Sequence, residues 1–195
     1  MQLADLLLNG KNNIEILPPD PERVKENAEF FQANDQSAFG MLIHHSGGVT
    51  VNGAVRLLGS TADPNYRDIK AFNEQFGGNG FVILGDDIFG GIFALNLGLL
   101  PECPGNMIYF APDTLEFEDM EIKLSQFFEF LRNSDLSDFY GQFSPEEYEA
   151  LRATNVEFNK VLHILPPQWS AEFNTEKHDA RAISVDEYYR SISNG

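Results

Sequence analysis

The apolar and polar positions divide the chain into short segments whose period changes repeatedly. An apolar run at 3–8, ended by Asn9-Gly10, predicts a short helix. Asp20-Pro21-Glu22 reads as a helix start, because aspartate accepts from free N–H groups and proline fits the first helical position. Val24, Ala28 and Phe31 follow at helical spacing, so this helix is expected to reach about Gln32 with those three toward the core. Residues 38–45, AFGMLIHH, are apolar without a decisive period. Asn52-Gly53, set between VTV and AVRLL, predicts a hairpin, since both residues accept positive φ. Residues 59–68 read as a loop and 69–76 as a helix ending at Gly77-Gly78.

Strands are expected at 81–84 (FVIL), 92–97 (IFALNL) and 107–110 (MIYF), with GDDIFGG as a tight connection between the first two. Leu124, Phe127, Phe128 and Leu131 mark one face of a helix over 124–132. Ser144-Pro145-Glu146-Glu147 fits a capping box opening a long helix, along one side of which lie Tyr148, Leu151, Asn155 and Phe158. VLHIL at 161–165 reads as a strand, and Ser184 with Glu187 caps a final short helix. Strands so closely spaced leave no room for regular βαβ crossovers. The expected fold is therefore α+β, an antiparallel or mixed sheet flanked by helices. A single domain over 1–195 is expected, with a core at about 15–133 and a C-terminal extension at about 134–195.

Charge narrows the partners. Thirteen basic residues stand against 30 acidic ones, a formal net of −17. Such a chain repels phosphate backbones and anionic membrane surfaces and favours a basic protein partner. The stretch 113–149 holds 11 acids against Lys123 and Arg132, net −9. Cys103 is the single cysteine, so no intrachain disulfide forms; with no signal-like N-terminus and no membrane-length apolar run, a cytoplasmic location is expected.

Catalytic signatures are scarce. The glycines at 77–80 and 90–91 lack the lysine and spacing of a nucleotide loop. His44 and His45, read on a strand, would point to opposite faces and not share a metal. Ser46 lacks a G-x-S-x-G elbow, and Cys103 lies between Glu102 and Pro104 in acidic surroundings. No metal or cofactor is expected. Asp86-Asp87, bounded by glycines, is the most distinctive pair: a partly exposed turn that could take a cation or a partner's arginine, or one that merely orders the connection. Asp113 is placed to order the turn in APDTLE or to touch a partner.

Three stretches carry a resemblance: HHSGGVTVNGAVRLLGS at 44–60, GDDIFGGIFALNLG at 85–98 and NMIYFAPDTLEFEDMEIKLSQFFEFL at 106–131. Together they resemble a bacterial family known only as a domain of unknown function. The match is close over 38–132 and loose beyond 134, around Trp169. The order of elements is also similar to the SUKH superfamily of bacterial immunity and regulatory proteins, though the tryptophan many members carry near the GG turn is lacking here. That resemblance implies a non-catalytic α+β fold and a partner such as a basic nuclease toxin. The expected function is thus non-enzymatic protein binding, possible contact residues being Asp86, Asp87, Asp113, Glu116, Glu118, Asp119 and Glu121. The alternatives are an enzyme using Asp86, Asp87 or Asp113 as acid or base, and a housekeeping or regulatory role.

Overall fold

Seven strands pair antiparallel in chain order: β1 (Ile14–Leu17), β2 (Gly48–Val51), β3 (Val55–Leu58), β4 (Phe81–Asp87), β5 (Ile92–Asn96), β6 (Asn106–Ala111) and β7 (Glu116–Lys123). A separate two-stranded sheet pairs β8 (Lys160–Leu165) with β9 (Asp179–Ser184). The helices are α1 (Leu3–Leu7), α2 (Pro21–Phe31), α3 (Ala38–His45), α4 (Ile69–Phe76), α5 (Leu124–Asn133), α6 (Leu136–Phe139), α7 (Pro145–Arg152) and α8 (Val185–Ser193). These assignments come from a computed structural model that describes residues 2–174 and 177–193. Met1, Thr175, Glu176, Asn194 and Gly195 lie outside it, and with them the ends of the expected 1–195 domain. The fold is α+β, and the sheet is antiparallel throughout.

Strand register sorts side chains onto two faces, because successive residues alternate. One row crosses Ile16, Val49, Leu57, Gly85, Phe93 and Tyr109. Helix α5 covers this first face, with Phe127 5.0 Å from Phe93 between ring centres, and α1 and α3 pack beside it. The opposite row crosses Glu15, Thr50, Arg56, Asp86, Ile92, Phe110 and Phe117. Helices α4 and α8 lie over the β4–β7 part of this second face, where Phe76, Tyr189 and Ile192 meet Ile92, Phe110 and Phe117.

The chemistry of the sequence explains the boundaries. The Asp20 carboxylate accepts from the Glu22 and Arg23 N–H groups, and α2 ends on Gln32 in the left-handed region. Asn52 and Gly53 take φ of 52° and 69°, closing the β2–β3 hairpin as expected. The strands at 81–84, 92–97 and 107–110 are neighbours in one sheet, and Leu124, Phe127, Phe128 and Leu131 are the buried face of α5.

The 38–45 run, open in the sequence, is a helix, capped by Ser37 on Gly40 N–H. Several expectations need correction. Strand β4 continues through Asp87, so only residues 88–91 make the connection. The helix opened by Ser144 ends at Arg152; Asn155 has φ of 50° and Phe158 lies in the following loop. Strands β1, β7 and β9 and helix α6 were not expected at all.

Residues after 134 pack on the sheet and its helices. Tyr140, Phe143, Tyr148, Val161, Tyr188 and Tyr189 join the same buried cluster as Leu57, Ile83, Phe93 and Phe127. The Leu162 N–H donates to the Ile88 carbonyl at 2.7 Å, fastening β8 to the β4–β5 turn.

Candidate functional site

Asp86 and Asp87 close β4, and alternation sends them to opposite faces. Both side chains are fully buried, with 0% of their surface exposed. The expectation of a partly exposed acidic turn is corrected: the pair belongs, with Gly85, to the strand, and only Gly90 and Gly91 lie in the connection.

On the second face Asp86 is clamped by two guanidinium groups. Arg56, its cross-strand neighbour and itself only 2% exposed, donates from Nε at 2.9 Å. Arg67 donates through both terminal nitrogens at 2.7 Å each, a bidentate pairing. The other nitrogens of Arg56 reach main-chain carbonyls: Asp87 at 2.9 Å, Glu157 at 3.1 Å, and Lys160. The Arg67 guanidinium lies between the Phe72 and Phe158 rings, 5.0 and 4.9 Å from their centres. Burial lowers the Arg56 pKa, and the Asp86 carboxylate opposes that fall.

On the first face Asp87 accepts four hydrogen bonds. Its Oδ1 takes the Phe89 and Gly91 N–H groups at 2.8 and 2.9 Å. Its Oδ2 takes the Tyr109 hydroxyl at 2.7 Å and the Tyr140 hydroxyl at 3.1 Å. Burial pushes the Asp87 pKa up, against the stabilising hydroxyl of Tyr109 and the two N–H groups. Burial likewise drives Tyr109 and Tyr140 well above the usual tyrosine range, with the Asp87 charge adding to it.

The glycines of the connection are explained by the same cluster. A Cβ on Gly91 would lie 2.0 Å from the Tyr109 hydroxyl oxygen, and one on Gly90 2.2 Å from that of Tyr188. Gly90 also has φ of 96°. Gly91 thus leaves the space in which the Tyr109 hydroxyl reaches Asp87, and Gly90 leaves the space for the Tyr188 hydroxyl.

Arg56, Arg67, Tyr109, Tyr140 and Tyr189 escaped the sequence reading. A signal was present at Arg56: a charge inside the apolar strand run AVRLL requires a buried partner of opposite sign.

The other acids lie elsewhere. Asp113 is exposed in the β6–β7 turn. Glu116, Glu118, Asp119 and Glu121 are exposed along β7, the last strand in sheet order. Burial tends to raise the Asp119 pKa, but hydrogen bonds from the Asn106 amide and the Glu121 N–H bring it below the usual carboxylate range. His44 and His45 share helix α3, their ring centres 6.5 Å apart, so the strand argument about them does not hold. Among the described residues no three His, Cys, Asp or Glu side chains gather as a metal-holding group.

Fold and site together define an α+β domain organised around an internally neutralised charge cluster, with a strongly acidic strand at one sheet edge. The chain belongs to the DUF2625 family of proteins of unknown function, whose profile matches residues 1–188. It is 35% identical over 141 residues to the uncharacterised protein YbfG of Escherichia coli K12, covering 71% of this chain and 65% of YbfG. It is 26% identical over 145 residues to an uncharacterised Haemophilus influenzae protein, covering 71% of this chain and 64% of that one. The match therefore spans somewhat less than two thirds of either relative. Among the described residues no helix is long and apolar enough to cross a membrane.

Proposed function

We propose that the chain is a non-enzymatic protein-binding domain whose β7 edge takes a basic partner. The observation that carries this is the clustering of Glu116, Glu118, Asp119 and Glu121, all exposed, on one edge strand. Opposite charge across an interface chiefly speeds encounter. Attraction between exposed charges decays over about 8 Å at physiological ionic strength. The acids that could have served catalysis are poor candidates for it: Asp86 and Asp87 face opposite ways in the interior, saturated with donors, and Asp113 sits alone on a turn. The SUKH-like order of elements supports the narrower reading of a cytoplasmic immunity protein that neutralises a basic toxin, its carboxylates standing in for phosphates.

The test uses a basic partner captured from the source bacterium, its own secreted toxins included. Reversing Glu116, Glu118, Asp119 and Glu121 to lysine should slow association at low salt and remove its salt dependence. Each exposed charge reversal away from a specific hydrogen bond changes stability by about 0.5 kcal/mol, and Asp119 also gives up its bonds from the Asn106 amide and the Glu121 N–H, so the fold of the variant is checked by urea unfolding alongside binding. Association at an unchanged rate across low and high salt would refute the acidic-edge reading.

A further inference from the structure

The second face of the sheet is not fully covered near β7. An apolar groove of about 270 Å³ lies there, with Phe110, Leu115 and Phe117 on its sheet side and Phe76, Tyr189 and Ile192 on its helical side. Phe117 packs between Phe81 and Phe110, at 5.0 and 5.3 Å between ring centres. An apolar cavity of about 150 Å³ already accepts a benzene ring, so this groove has room for an aromatic or branched aliphatic side chain.

Its position beside an edge strand fixes how such a side chain would arrive. An extended segment pairing with β7 would extend the row Ile92–Phe110–Phe117 by one residue. Directly opposite side chains in such a pair lie about 5 Å apart, which sets the incoming residue at Phe117 and over the groove. Its two neighbours would point to the other face, opposite Glu116 and Glu118. Exposed acids on an edge repel an acidic strand and lose hydration without compensation against a neutral one, whereas a basic strand neutralises them. With a net charge of −17 the chain repels its own copies, which disfavours a second copy as the occupant.

We infer that the groove receives an apolar side chain from a basic, extended segment of a partner protein, which pairs along β7 and reads basic–apolar–basic opposite Glu116, Phe117 and Glu118. This rests on the acidic-edge reading and specifies the chemistry that edge selects.

The intact chain, labelled with ¹⁵N, is titrated with the synthetic peptide Lys-Val-Lys-Phe-Lys-Val-Lys. Amide shift changes should concentrate along Glu116–Asp119, and ring resonances of Phe110 and Phe117 should move. Replacing the central peptide phenylalanine by serine should weaken binding at least tenfold, and so should a central proline, which removes a ladder donor. Because these changes are in the peptide, a folding defect in the protein cannot mimic them. Shift changes centred elsewhere, or none at millimolar peptide, would overturn the inference. Salt-sensitive binding that is indifferent to serine and proline would overturn it while leaving the acidic edge as a purely electrostatic contact. Self-association in sedimentation velocity, lost in Phe117→Ser, would hand the groove to a second copy and overturn it as well.

Discussion

Asp86 is buried and holds two arginines, and removing it leaves both guanidinium groups without their counter-ion. Breaking a buried pair by deleting one partner costs about 3–5 kcal/mol. Asp86→Ala should lose about that much in urea unfolding, an outcome inconsistent with a surface contact residue. The tyrosines offer a sharper contrast. The Tyr109 hydroxyl donates to the Asp87 carboxylate, and bonds to charged groups contribute about 1.5–3 kcal/mol. Among the described residues the buried Tyr148 hydroxyl finds no hydrogen-bond partner. Tyr109→Phe should therefore destabilise by about that amount, while Tyr148→Phe should leave the urea midpoint unchanged or raise it. The pH response follows in sign. Burial raises Tyr148 to about 12, and Tyr109, Tyr140 and Tyr189 well above the ordinary value of 10. A folded-state pKa above the unfolded one means stability that is complete below pH 10 and is lost as pH climbs through 10 toward 12 and beyond. Tyrosinate absorbance should accordingly rise together with loss of the folded signal; ionisation well before unfolding would contradict the buried hydroxyls.

At the scale of elements, the glycines after β4 separate two explanations of a motif. If Gly91 is there to make room, Gly91→Ala must displace the Tyr109 ring and cost the roughly 1–3 kcal/mol typical of overpacking. If it served only to turn the chain, the change would be mild, since its φ lies outside the left-handed region. Legibility in the sequence followed the same division between local and distant causes. The caps at Asp20 and Ser144, the Asn52-Gly53 turn and the apolar stripe of α5 are encoded by neighbouring residues and could be read directly. Strand β7 could not: its alternation of Phe117, Met120 and Ile122 is broken by a register shift opposite Asn106 to Ile108, with Glu121 at φ of 58°. The acidic pair was legible as distinctive and misread as exposed, because its burial is decided by Arg56, Arg67 and tyrosines 22 to 103 positions away.

Taken whole, the molecule joins a sheet built from neighbours to a C-terminal stretch that reaches back across it. Each strand of the sheet pairs with its predecessor in the chain, a low-separation topology that favours rapid pairing. Residues after 134 supply Tyr140 to Asp87, Tyr189 to the Asp86 side, and two carbonyls to Arg56. A fragment ending at residue 133 should then retain β-sheet circular dichroism but bind a hydrophobic dye and unfold without a cooperative transition. A cooperative urea curve from that fragment would show the reach-back to be dispensable.

The Arg56 guanidinium donates to carbonyls 101 and 104 residues further along the chain. On the ribosome the β2–β3 hairpin is therefore made long before the groups that will seat its arginine exist. For that interval the nascent chain carries an ion on a nearly finished sheet, and water must hold the place that Glu157 and Lys160 later take. Arrival of the tail is thus the step at which the Glu157 and Lys160 carbonyls take over that guanidinium from solvent.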